Sequence, residues 1–116
     1  MRMDDCIFCK IVAGEIPCRK VYEDEKVLAF EDIHPMAPIH VVIIPKRHVA
    51  TLMDIGPGEE TDLQAVLAAA REVARIKGIN QRGFRVVINC HSEGGQTVYH
   101  LHIHLLGGQK LKDHLA

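Results

Sequence analysis

The residues best suited to chemistry sit in Tyr99–Gly107, YHLHIHLLG, where His100, His102 and His104 alternate with Leu101, Ile103 and Leu105. In a strand, successive side chains point to opposite faces. The spacing therefore predicts a row of imidazoles on one face and an apolar row on the other. Three uses of such a row are open. It could be a solvent-facing strand with no chemical role. It could hold a metal, since imidazoles are common zinc ligands. It could supply a nucleophile, because a neutral imidazole attacks phosphorus or carbonyl centres near pH 7. The loop just before it, SEGGQT, favours the third use. Backbone N–H groups at Gly94 and Gly95 can approach an anion closely, and Gln96 and Thr97 offer further donors.

A second constellation is Cys6-Ile-Phe-Cys9. A C-x-x-C pair suits either a metal or a thioredoxin-like redox exchange. The redox motif follows a strand in a βαβ setting, whereas this pair lies near the start of the chain. Cys18 and Cys90 have no evident partner and are read as ordinary small side chains.

The elements that must position these groups follow from hydrophobic spacing. Residues 4–13, DDCIFCKIVA, read as a short helix capped by Asp4 or Asp5 and ended at Gly14. KVYED and VLAFED read as a hairpin, and HVVIIP as an interior strand apolar on both faces. From Pro57 to Lys77 the period changes. Leu63, Val66, Leu67, Ala70, Val73 and Ala74 recur at helical spacing, with Gly78 as the stop. FRVVIN and YHLHIHLLG complete five strands. The expected fold is α+β: one domain over residues 1–116, with a five-stranded antiparallel sheet, one long amphipathic helix and a short N-terminal helix. The long helix should pack on Leu101, Ile103 and Leu105, leaving the histidine face open.

Bulk properties exclude several classes. The chain has 116 residues with a formal net charge of −1, so a duplex nucleic-acid partner is not expected. No apolar run has the length of a membrane span, and the N-terminus lacks a signal-peptide core. The expected location is cytoplasmic, with the cysteines reduced.

Taken together, the motifs resemble the histidine-triad (HIT) superfamily. HLHIHLL at 100–106 fits its alternating pattern at every position. CIFCKIVAGEIP, VLAFEDIHPMAPIHVVIIPKRH and GGQTVYHLHIHLLGG follow in matching order and spacing. The closing HLLGG and the short length are most similar to the Hint-like branch of nucleotide-binding proteins.

The resemblance implies a hydrolase of purine nucleoside phosphoramidates or related α-phosphate derivatives. His102 would be the nucleophile and form a covalent nucleotidyl-histidine, from which water releases the nucleoside monophosphate. His104 would stabilise the phosphate, and His40 and His100 would orient the active-site imidazoles. Asp32 would bind the ribose hydroxyls. Phe8, Phe30 and Ile33 would line the base pocket, and Asn89, Gly95, Gln96 and Thr97 would lie around the sugar and phosphate. The same resemblance implies a structural zinc held by Cys6, Cys9, His48 and His100, and a two-fold homodimer. His34, His91 and His114 receive no role. The tryptophan-containing tail of animal Hint proteins has no counterpart in GGQKLKDHLA, so its leaving-group selectivity does not carry over. A reading of a different class is a nucleotide-binding regulatory or scaffold protein with negligible turnover. A third is a metal module whose histidines serve metal alone.

Overall fold

The computed structural model describes residues 5–113. A short helix α1 (Ile7–Val12) leads into β1 (Lys20–Glu23), β2 (Val27–Glu31) and β3 (Ile39–Pro45). A 3-10 turn at Leu52–Asp54 precedes the long helix α2 (Thr61–Ile76), followed by β4 (Arg85–Ile88) and β5 (Ile103–Gly107). The strands form one five-stranded sheet in the order β1-β2-β3-β5-β4, antiparallel throughout. The α+β architecture is the one expected.

β3 shows why an interior strand is apolar on both faces. Val41 and Ile43 join Val27, Ala29, Ile103 and Leu105 in the cluster beneath α2. Val42 and Ile44 point the other way and pack with Leu28 and Phe30 in a second cluster, against which Phe8, Ile11 and Val12 of α1 rest. The α2 stripe consists of Val66, Ala69, Ala70, Val73 and Ala74. Small side chains dominate it, which lets the helix lie close to the sheet. Leu67, expected in the stripe, is instead 45% exposed, and Ala69 takes the buried position.

Other expectations need correcting. α1 starts at Ile7 and its cap is Cys6, whose Sγ accepts the Cys9 N–H at 3.3 Å. Asp5 is exposed, and Asp4 lies outside the described residues. α2 starts four residues after Pro57, and Gly78 ends it with a φ of +71°. The last strand starts only at Ile103, so His100 lies in a bend and His102 on irregular backbone before it. Leu101 is fully buried but lies outside the α2 cluster. The histidine face is also not left bare, since α1 covers part of it.

Candidate active site

His40, His102 and His104 form a chain of imidazoles whose proton positions are set by their neighbours. The Nδ1–H of His102 donates to the His100 carbonyl at 2.8 Å, so its Nε2 keeps a free lone pair. The Met36 N–H donates to His40 Nδ1 at 3.0 Å, which puts the His40 hydrogen on Nε2. That Nε2–H donates to His104 Nδ1 at 2.9 Å, which leaves the His104 hydrogen on its own Nε2. The rings of His102 and His104 lie 5.0 Å apart between centroids. Two adjacent imidazoles therefore differ in kind: His102 offers a lone pair and His104 a donor.

Burial keeps these rings neutral. It is the main cause lowering the pKa of His102, outweighing the His100 carbonyl and the Asp32 charge that favour the protonated form. Burial, then the neighbouring His102 and His40, takes His104 down to about 4. His40 is lowered by burial against the opposing pull of Asp32. Asp32 Oδ2 lies 3.3 Å from His40 Nε2 and 4.0 Å from His104 Nδ1, and its Oδ1 accepts the His34 N–H at 2.8 Å. Asp32, His40 and His104 are close enough to share an ion. The Met36 bond argues against that use, because it leaves the His40 nitrogen nearest the group protonated.

His102 and His104 open onto a cleft of about 860 Å³. Phe8, Phe30, Asp32, Ile33 and Thr97 line the same cleft. Phe8 packs edge-on to His102 at 5.2 Å and to Phe30 at 5.6 Å. Phe30 is 6% exposed and doubles as core, while Ile33 is 85% exposed and free to meet a ligand. His40, Asn89, Gly95 and Gln96 do not line the cleft. His40 acts on it through His104.

The glycine loop is built by close packing. A Cβ at Gly94 would lie 2.4 Å from the Cys90 carbonyl oxygen, and Gly95 has a φ of +83°. Asn89 Nδ2 donates to the Gly94 carbonyl at 2.7 Å. Gln96, expected to donate to a phosphate, is instead buried with its amide committed to the loop. Its Oε1 accepts the His91 N–H at 2.9 Å, and its Nε2 donates to the carbonyls of Ala50 (2.8 Å) and Val98 (3.0 Å). Both amide hydrogens are spent. Thr97 is exposed at the cleft.

Residues without an assigned role also line the cleft, among them Ile7, Ile11, Cys18, Arg19 and His34. The spacing of Ile7, Phe8 and Ile11 on a short helix was a usable signal for a shared face. Nothing in the sequence singled out His34. His91 is exposed with a φ of +62°, and His114 lies outside the described residues.

Behind the triad is a separate cluster. Cys6 Sγ and His100 Nδ1 are 3.3 Å apart, Cys9 Sγ and His48 Nδ1 are 3.3 Å apart, and all four ligand atoms lie within 4.8 Å of one another. The His100 Nε2–H donates to the Pro45 carbonyl at 2.7 Å, so its Nδ1 lone pair faces the sulfurs. Burial, then the hydrogen bond and charge of Cys6, raises the Cys9 thiol to about 11. Two sulfurs and two imidazole nitrogens in this grouping could hold a metal ion, and the donor set suits a tetrahedral one.

Comparison with known proteins agrees with this geometry. The HIT domain family model matches residues 13–111. Purine nucleoside phosphoramidase of Escherichia coli K12 is 42% identical over 113 residues, covering 97% of this chain and 95% of its own. A histidine triad protein from Clostridium difficile superposes with a TM-score of 0.94 at 49% identity, covering 98% and 99% of the two chains. A histidine triad nucleotide-binding protein from Candida albicans superposes with a TM-score of 0.80 at 32% identity, over 96% and 86%. With the matched region running from just after α1 to beyond β5, and relatives aligned almost end to end, this chain belongs to the HIT domain family.

Proposed function

We propose that the protein is a purine nucleotide hydrolase, acting on nucleoside 5′-phosphoramidates or related α-phosphate derivatives through His102. The observation that carries this reading is the pairing of tautomers: a lone pair on His102 Nε2 beside a donor on His104 Nε2, both at one cleft. The E. coli relative named a purine nucleoside phosphoramidase supports the substrate class.

His102 Nε2 attacks the α-phosphorus, and a phosphorus–nitrogen bond to the imidazole forms. The bond to the leaving amine breaks, and the amine departs with its electron pair and takes a proton from water. A second water attacks the phosphorus and gives its proton to the hydroxide left by the first, the bond to Nε2 breaks with its electron pair returning to the nitrogen, and the nucleoside monophosphate leaves with the imidazole restored. The His104 Nε2–H and the Thr97 hydroxyl donate to the phosphoryl oxygens as their charge grows. Asp32 accepts from the ribose hydroxyls with the lone pairs that His34 and His40 leave free. Phe8, Phe30 and Ile33 hold the base. Gly95 and Asn89 shape the phosphate loop, and Gln96 locks it. His40 and His100 act as positioning residues, His40 on the hydrogen of His104 and His100 through its carbonyl on that of His102.

Cys6, Cys9, His48 and His100 would hold a structural zinc, for which the two thiols and the Nδ1 lone pair of His100 are the fitting donors. A closed four-ligand site of this kind supplies folding energy rather than chemistry. The protein is proposed to work as a homodimer in the cytoplasm. Among the described residues no helix is long and apolar enough to cross a membrane.

The test is hydrolysis of an adenosine 5′-phosphoramidate by the natural protein and by His102→Ala. The natural protein should turn over, and the variant should lose a factor of about 10⁴ or more, as for removal of a nucleophile elsewhere. Equal rates would remove His102 from the mechanism. Tight nucleotide binding with no turnover and no adduct under rapid quench would favour the regulatory reading instead.

A further inference from the structure

We propose that metal occupancy of the Cys6, Cys9, His48, His100 cluster sets the nucleotide affinity of the cleft, by holding the N-terminal half of α1 in place as a cleft wall. This rests on the nucleotide-binding reading above and adds a regulation to that site.

The inference starts from the weakness of α1. The helix has six residues, none fully buried. A helix that short has no stability of its own and depends on its anchors. Phe8, Ile11 and Val12 rest on the cluster of Leu28, Phe30, Val42 and Ile44. At its N-terminal end the ligand group adds a second anchor, the one that also holds the first turn. Cys6 caps the helix through Sγ, and Cys9 lies one turn later in the same group of donors. Between the two cysteines sit Ile7 and Phe8, both lining the cleft. Ile7 is 47% exposed, and Phe8 touches the reacting end of the cleft through its edge contacts with His100 (5.9 Å) and His102 (5.2 Å). An ion drawing Cys6 and Cys9 to His48 and His100 therefore fixes the two side chains that wall one side of the cleft.

His100 meets those thiols through Nδ1, but the triad segment has other ties as well. The Leu101 N–H donates to the Val49 carbonyl at 2.6 Å, and the His100 ring donates to Pro45. The effect of the ion accordingly falls on binding more than on the chemical step. Linkage makes it reciprocal: if metal tightens nucleotide binding by some factor, nucleotide tightens metal binding by the same factor.

The experiment uses the full chain. Adenosine monophosphate is titrated by calorimetry into zinc-loaded and chelator-stripped protein. Zinc affinity is measured against a chromophoric chelator with and without saturating adenosine monophosphate. Amide exchange of α1 and α2 is followed in both forms. Stripping should weaken nucleotide binding by about tenfold, and nucleotide should tighten zinc by the same factor. Exchange protection should fall in α1 and persist in α2. Cys9→Ser should match the stripped protein in nucleotide affinity, and its phosphoramidate hydrolysis should show a raised KM with kcat nearly kept. Equal nucleotide affinity in the two forms, failure to bind zinc, or joint loss of protection in α1 and α2 would each overturn the inference. A zinc-loaded protein that binds no nucleotide would overturn the nucleotide reading as well, which separates the two failures.

Discussion

What an imidazole does depends on which of its nitrogens keeps the hydrogen, and here backbone groups decide it. The Met36 N–H and the His100 carbonyl are ordinary peptide atoms, yet they make one ring a donor and its neighbour a lone-pair base. The spacing of His100, His102 and His104 was legible as a row. The contribution of His40 was legible only through the family resemblance, because a histidine at a strand start carries no mark of its partner on the next strand. Gln96 was misread for a related reason: a sequence shows that a donor exists, not whether the backbone has already consumed it. Burial adds a pH dependence. The His104 pKa falls from 6.5 to about 4 on folding. Between those values the unfolded chain takes up a proton that the folded chain refuses, so stability should fall as pH drops from 6.5 towards 4 and level off below. The loss should be roughly 1–3 kcal/mol for this ring. Thermal melts across that range should show Tm falling with pH, and His104→Asn should flatten the slope. A wild-type Tm independent of pH would contradict the assignment of a neutral buried ring.

At the scale of elements, the alternation assumed for the histidine segment held only from Ile103 onward. Before that point the chain is shaped by side-chain anchors, namely His100 on Pro45 and Gln96 on Ala50 and Val98. The pairings with Pro45 and Ala50 span 55 and 46 residues and leave no periodic trace. The strand pairs and α2 were legible because hydrophobic period reports directly on local geometry. Gly94 shows the loop working as an element. Its missing side chain lets the loop fold against Cys90, and the Asn89 amide closes it. Gly94→Ala should force backbone apart, costing about 1–3 kcal/mol in urea unfolding. The same variant should slow phosphoramidate hydrolysis, since Thr97 follows in the same loop. Unchanged stability would show that the loop has room the structure does not display.

The whole molecule is a sheet covered unequally. α2 covers one face over β1, β2 and β3, while α1 covers part of the other and leaves the cleft. Among the described residues the sheet also ends in a strand, β4, with no partner beyond it. Val86 pairs with Leu105, which places it on the α2 side, and it is 37% exposed. Leu67 on α2 is 45% exposed. An open strand edge carrying an exposed apolar residue suits self-association, and we propose that Val86 and Leu67, both on the α2 side, lie on the surface where the proposed dimer forms. Sedimentation of the natural protein should report a dimer, and Leu67→Glu combined with Val86→Lys should shift it to monomer. A variant that remains dimeric would place the interface elsewhere. Neither residue was legible as surface, since both belong to apolar runs that read as core.

The neutral tautomers have one more consequence. The cleft lining carries Arg19, Asp32 and a Glu31 whose carboxylate is paired with Lys77, and the imidazoles of His102 and His104 are uncharged near neutrality. An anion held there is gripped by oriented dipoles at short range rather than drawn by a net positive field. Dissolved salt has little of that grip to screen, so the proposed phosphoryl binding should persist in a strongly ionic medium where a cluster of lysines would release its anion.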